Sequence, residues 1–176
     1  MYGDAAFETL RAYGGRVFEW EAHARRLAGT CELLQLDHGL TDADLRGRVE
    51  ETLAANDLSE AYVRLSVTRG VQPGKLTPVP DVDPTVVVVV KELPRGGRGS
   101  DPVWEGAATV QTVKTRRVPD RAIPARAKTH NYLNGILARL ELRVTGADEA
   151  LVLDSEGMVA EGATSNVFFV SDEALC

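Results

Sequence analysis

The sequence predicts an α+β protein of two domains. Stretches with the 3.6-residue apolar repeat of helices, at 21–36, 42–56 and 133–144, alternate with short β-branched or alternating stretches at 7–13, 61–69, 85–90, 107–113 and 149–154. Glycine and proline breaks at 70–84 and 94–102, and a basic, proline-interrupted stretch at 116–126, divide the chain. The expected organisation is a small N-terminal α+β domain at 1–115, an interdomain linker at 116–126, and the start of a larger domain at 127–176.

In order, the apolar strand 7–13 runs into Gly14 and Gly15 and turns back through 16–18 as a hairpin. Helix 21–36 places Ala24, Leu27, Cys31 and Leu34 on one side, with Arg25 and Arg26 adjacent on it. Thr41 is the N-cap candidate for helix 42–56, in which Leu45, Val49 and Leu53 repeat every four residues. Strand 61–69 alternates Tyr62, Arg64, Ser66 and Thr68 with Val63, Leu65 and Val67. The run 85–90 is β-branched and suits a sheet interior. Loop 70–84 carries four prolines and two glycines and suits the border of a site. Helix 133–144 is expected to bury a stripe of Leu133, Ile136, Leu137, Leu140 and Val144, with Asn131 as cap and Gly146 at its end. Strand 149–154, a turn at 155–157 and strand 158–160 follow, then a loop of small polar residues at 161–166 and an apolar strand at 167–170.

At 176 residues with 44% apolar content the chain can bury real cores. A formal charge of -6 argues against a broad nucleic-acid surface. Two cysteines, Cys31 and Cys176, form no disulfide framework and fit a reducing compartment. No stretch reaches the ~20 apolar residues of a membrane span, and the start lacks a signal-peptide pattern, so the expected location is cytoplasmic. His23, His38 and His130 have no metal-ligand spacing; no metal is expected, and packing roles are the simpler reading for His23 and His130. Gly96, Gly97 and Gly99 lack the context of a phosphate loop.

Three motifs carry more specific information. The first is Tyr2-Gly3-Asp4-Ala5-Ala6-Phe7-Glu8-Thr9-Leu10-Arg11, and the second is His23-Ala24-Arg25-Arg26-Leu27. The third is Lys128 followed by the helix, the strand Gly146-Ala147-Asp148-Glu149-Ala150-Leu151-Val152-Leu153-Asp154, and Glu161-Gly162-Ala163-Thr164-Ser165-Asn166-Val167-Phe168. In order and spacing this set resembles the PLP-dependent enzymes of fold type IV, the class IV group holding branched-chain and D-amino-acid aminotransferases and aminodeoxychorismate lyases. The resemblance implies a two-domain fold type IV PLP enzyme, its second domain binding pyridoxal 5'-phosphate. The family pattern also has a strand region before the Tyr2 motif and over half a domain after Asn166, so the chain is expected to be incomplete at both ends.

The resemblance implies roles residue by residue. Lys128 would be the Schiff-base lysine and proton carrier. Glu161 would face the pyridine nitrogen and keep it protonated. Arg26 would hold the cofactor phosphate, since a planar guanidinium suits a dianion; Arg25, about 100° round the helix, is expected in solvent. Thr164 and Ser165 would add donors near the cofactor, or else satisfy local amides. Tyr132 follows Asn131 as does a cofactor-bonding tyrosine of branched-chain enzymes, but its spacing from the lysine is one residue shorter. Tyr2, Arg11 and Arg64 match positions on the substrate side, whereas Thr9 stands where the branched-chain type has glycine and is similar to the lyases.

The implied reaction is amino transfer between a branched-chain-like amino acid and a 2-oxo acid. Aminodeoxychorismate lyase, releasing pyruvate and 4-aminobenzoate, is the alternative. D-amino-acid transamination ranks third, because the loop after Gly70 lacks the arginine and histidine expected there. A PLP-free remnant or partner-binding fragment is the non-enzyme alternative. The resemblance also implies a homodimer with small-molecule amino and 2-oxo acid substrates, and no nucleic acid or membrane partner.

Overall fold

The structure is a computed structural model that describes residues 2–71, 74, 76–79, 82–93 and 106–175. It confirms the α+β class and falls into two compact units, Met1–Val103 with Arg126–Asn131, and Trp104–Ala125 with Tyr132–Cys176. The expected break at 94–102, the Gly96 to Gly99 run and Cys176 lie outside the described residues.

In the first unit, β1 (Ala5–Tyr13) is long because it alternates without a breaker until Gly14 and Gly15. Both glycines take positive φ, 56° and 76°, and return the chain into β2 (Arg16–Val17). Helix α1 (Trp20–Leu33) ends earlier than its apolar repeat, because Gln35 adopts a left-handed φ of 49° and Leu36 N–H donates to the Cys31 carbonyl. Helix α2 (Asp42–Ala55) starts at the expected Thr41, whose hydroxyl accepts from Asp44 N–H while the Asp44 carboxylate accepts from Thr41 N–H.

Strands β3 (Ala61–Thr68) and β4 (Thr85–Glu92) complete an antiparallel sheet of order β2-β1-β3-β4. Its inner face, with Ala6, Leu10, Val63, Leu65 and Val67, packs on Leu27, Cys31, Leu45, Val49 and Leu53 of the two helices. Among the described residues the all-valine run is therefore an edge strand and not a sheet interior. Val86, Val88 and Val90 reach the core, while Val87 and Val89 are exposed on the other face. Cross-strand partners share a face. Phe7 opposite Ser66, Thr9 opposite Arg64, and Arg11 opposite Tyr62 thus make up that outer face. Residues 128–130 lie along the β1 edge: Phe7 N–H donates to the Lys128 carbonyl, and His130 N–H to the Ala5 carbonyl.

In the second unit, β5 (Val110–Arg116) pairs parallel with β6 (Glu149–Leu153), and β7 (Val159–Gly162) pairs antiparallel on the far side of β6. The β5–β6 register shifts between Thr112 and Arg116. At that irregularity the Lys114 and Thr115 amides donate to the Glu141 carboxylate, 2.7 and 2.9 Å. Helix α3 (Leu133–Glu141) passes into a 3-10 turn, Leu142–Val144, and ends at Gly146, φ 71°. Asn131 is not its cap: Tyr132 holds that position, and the Asn131 amide donates to the Thr129 hydroxyl and Gly3 carbonyl.

The expected burial of the α3 stripe is reversed. Leu133, Ile136, Leu137, Leu140 and Val144 are exposed, and the core consists of Ala138 and Leu142 with Val113, Ala150 and Val152. A Cβ on Gly135 would lie 2.6 Å from the Ala163 carbonyl oxygen, so the small side of the helix approaches the backbone. The strand expected at 167–170 shrinks to β8 (Val170–Ser171), a hairpin partner of β9 (Ala174–Leu175).

Candidate active site

The first unit assembles its polar groups around Phe7 and Glu8, which project to opposite faces of β1. Glu8 stands in phase with Ala6 and Leu10 on the apolar face and is 1% exposed. A carboxylate survives there only if paired. Arg26 supplies Nε to Oε1 at 2.6 Å and Nη2 to Oε2 at 2.5 Å, and His23 Nδ1 lies 2.7 Å from Oε2. His23 and Arg26 reach the same carboxylate because they are three residues apart on α1. The Arg26 side chain stays half exposed and borders a hollow of about 450 Å³ with Arg25, Gly29, Glu32, Leu33 and Arg126. Arg25 is exposed, as expected, but lines the same hollow.

Lys128 is anchored by its backbone. Its N–H donates to the Thr30 hydroxyl at 3.2 Å, and that hydroxyl donates to the Arg26 carbonyl at 3.0 Å. Lys128 and the helix turn carrying Arg26 are thereby linked through one buried threonine. The Lys128 ammonium lies 4.6 Å from the Phe7 ring centroid, and the Arg64 guanidinium 3.9 Å from it. His130 meets the same ring edge-on at 5.2 Å, with Nε2 3.4 Å from Arg64 Nη2.

On the outer sheet face, Tyr62 is partly buried, which pushes its phenol pKa up. Hydrogen bonds with Thr9 and Arg64, and the charges of Arg64 and Lys91, outweigh this and hold it below its ordinary value. Lys91 lies 4.5 Å over the Tyr62 ring. Arg11 Nη1 donates to Tyr13 at 3.3 Å, and Tyr2 hydroxyl to the Gly74 carbonyl at 3.0 Å. Thr9, Arg11 and Arg64 thus share one face, and Tyr2 is fastened to the expected border loop.

In the second unit, Glu161 on β7 is about half exposed, with Arg117 Nε 3.7 Å away. Ser165 hydroxyl donates to Glu149 at 3.1 Å and its carbonyl accepts from Gly162 N–H, so its hydroxyl serves a local acid. Thr164 lies exposed in the turn after β7, and Tyr132 starts α3.

Sequence reasoning singles out neither Glu8 nor Phe7 and Tyr62, and assigns His130 to packing. For Glu8 a signal exists: an acid in the apolar phase of a strand, with a histidine and an arginine three residues apart on the next helix.

The four-stranded sheet with two helices, followed by a β-α-β unit ending in the Glu161 turn, is the architecture of the fold type IV PLP enzymes. The chain belongs to the amino-transferase class IV family, whose model matches residues 5–176. It is 37% identical over 175 residues to a putative branched-chain-amino-acid aminotransferase of Methanocaldococcus jannaschii, covering 99% of this chain and 59% of that protein. It is 31% identical over 178 residues to D-alanine aminotransferase of Staphylococcus haemolyticus, covering 99% and 58%. Among solved structures, a T.th. branched-chain amino acid aminotransferase with pyridoxamine 5'-phosphate superposes with a TM-score of 0.85 at 32% identity, over 99% of this chain and 57% of that one. The chain spans somewhat under three fifths of the length of these relatives.

The residues of the first unit fit a phosphorylated pyridine cofactor on their own chemistry. Arg26 is a cation oriented on two sides by a buried acid and still half open at a hollow, which suits a phosphate. Lys128 is a partly buried amine beside an aromatic ring, fixed by its own backbone.

Proposed function

We propose that the chain carries the catalytic lysine of a PLP-dependent aminotransferase that moves an amino group between a branched-chain-like amino acid and a 2-oxo acid. The observation that carries this is the tie from the Lys128 backbone through Thr30 to the Arg26 turn of α1, which holds the backbones of the two residues together by one short chain of bonds. When bound, the cofactor supplies an electron sink for the substrate's Cα.

The chain's own residues do the rest. Lys128 is the covalent attachment point and carries the proton to and from the reacting carbon. Arg26 holds the phosphate, with Glu8 setting the plane of its guanidinium. Glu161 is the acceptor for the ring N–H, Tyr132 a cofactor contact, and Thr164 and Ser165 donors in the turn after β7. Arg64, Arg11, Thr9 and Tyr2 orient substrate carboxylate and side chain. The outer face around Phe7 and Tyr62 is rich in cations, which suits substrates whose common group is a carboxylate. A homodimer is part of the reading, and light scattering that gives an active monomer contradicts that part.

Thr9, on the substrate face beside Tyr62, favours the lyase as second reading. Parallel assays separate the two: leucine with 2-oxoglutarate, and aminodeoxychorismate alone. Glutamate formed in the first supports amino transfer. Pyruvate and 4-aminobenzoate from the second, with no glutamate from the first, replaces the first reading by the lyase. Neither product, with no visible absorption band on adding PLP, leaves the PLP-free fragment.

A further inference from the structure

We propose that His130 completes the carboxylate position begun by Arg64: a substrate carboxylate entering beside Arg64 Nη2 accepts an N–H from His130 Nε2, and the imidazole takes up one solvent proton to supply it. The inference rests on Arg64 being a carboxylate residue and adds a second group and a proton to it.

The geometry is specific. Arg64 Nη2 and His130 Nε2 stand 3.4 Å apart, and the guanidinium and imidazole both border the Phe7 ring, one over its face and the other at its edge. Phe7 is 4% exposed, and His130 N–H is bonded to the Ala5 carbonyl, so His130 is held at the β1 edge while Arg64 reaches the same ring from β3. Arginine offers only donors. Facing it directly, His130 must therefore present the Nε2 lone pair to Arg64, which places its proton on Nδ1 and keeps the ring neutral.

The surroundings agree. Burial and then the charge of Arg64 hold the His130 pKa below its ordinary value. Lys128, on the same segment, shares the Phe7 ring. Glu8, the acid next to Phe7 on β1, projects to the other face, where Arg26 and His23 engage it. The groups acting on His130 are thus cationic, and an incoming carboxylate brings the opposite charge. A carboxylate at hydrogen-bond distance favours the protonated ring, the direction opposite to that imposed by burial and Arg64. The proton balance is neutral imidazole plus one proton plus carboxylate giving an imidazolium at His130 bridged to the carboxylate, with Arg64 on its other side.

The test uses the full chain without cofactor and 4-methylvalerate as probe. Calorimetry at pH 7 in buffers of different ionisation heat reads protons taken up per probe bound, and NMR of the His130 ring, assigned through the backbone, reads its titration with and without probe. The expected result is net uptake of about 0.3–1 proton, an upward shift of the His130 titration by about a unit or more, and loss of uptake in His130→Gln with roughly tenfold weaker binding. Binding that requires Arg64, with no proton uptake and an unmoved His130 titration in the wild type, overturns this proposal and leaves the Arg64 reading standing. Binding unchanged in Arg64→Ala, or no binding at all, removes the Arg64 reading and this proposal with it. The NMR titration is made on the wild type, so the proposal stays testable if His130→Gln fails to fold.

Discussion

Glu8 and Arg26 should be unequal partners, and the inequality follows from their exposure. Glu8 is 1% exposed and cannot reach water without opening the β1–α1 contact, whereas about half of the Arg26 side chain is open. Breaking a fully buried ion pair by deleting one member costs about 3–5 kcal/mol, and exposed pairs contribute about 0–1 kcal/mol. Glu8→Gln keeps the volume; its amide still accepts from one arm of Arg26 and turns an NH2 toward the other, and Arg26 can swing into solvent. The expected cost is about 2 kcal/mol, a fall in Tm of roughly 4–8 °C for a chain of this size. Arg26→Ala leaves the Glu8 carboxylate buried with only His23 beside it and should cost about 3 kcal/mol. Urea unfolding of both single variants and the double variant at pH 7 gives the comparison. The double variant should be less destabilised than the sum by at least ~1 kcal/mol. Equal costs for both single changes, or additivity, would refute the reasoning. On the proposed role of Arg26, Glu8→Gln also weakens PLP binding about tenfold, read by fluorescence quenching.

Gly135→Ala gains helix propensity of ~1 kcal/mol, but its Cβ would meet the Ala163 carbonyl at 2.6 Å; we expect net destabilisation and a displaced 163–165 turn, seen as amide NMR shifts there. Thr41→Ala removes the hydroxyl half of the α2 capping box and should cost ~1 kcal/mol in denaturant unfolding, whereas Thr41→Ser should cost little. The Glu141 pKa is held below the ordinary carboxylate value, first by the Thr115 hydroxyl and then by the Lys114 and Thr115 amides. Because the folded value is the lower one, the stabilisation is complete above the unfolded pKa and lost as pH falls toward the folded one. Glu141→Gln should therefore flatten acid destabilisation of the second unit as pH falls below the ordinary carboxylate range, followed by amide exchange at Val113 and Ala150.

The elements are legible where local chemistry decides them. Thr41, Gly14 with Gly15, and Gly146 each fix a boundary that the structure keeps. Tertiary context decides the others. Helix 133–144 shows a bulky stripe in sequence, yet against a three-stranded sheet it is Gly135 and Ala138 that allow close approach, so the leucines face outward. The valines of 85–90 suit an interior strand equally well; nothing in their composition tells an edge from a centre, and only the pairing with β3 alone does. Helix α1 stops at a left-handed Gln35, a position usually marked by glycine.

For the candidate site, the family resemblance singles out Lys128, Arg26 and the substrate-side residues as candidates, and the fold gathers Thr9, Arg11 and Arg64 on one sheet face. Spacing does not report burial or pairing. Glu8 under Arg26, Phe7 between Arg64 and Lys128, and His130 against Arg64 emerge only from the register of β1, β3 and the 128–130 segment.

The most direct test of the proposed chemistry is to add PLP to the purified full chain, reduce with borohydride, and map the modified peptide by mass spectrometry. The account predicts one phosphopyridoxyl group, on Lys128, absent in Lys128→Ala and weakened in Arg26→Ala. Modification spread over Lys91, Lys114 and Lys128 alike, or undiminished total labelling in Lys128→Ala, would contradict it.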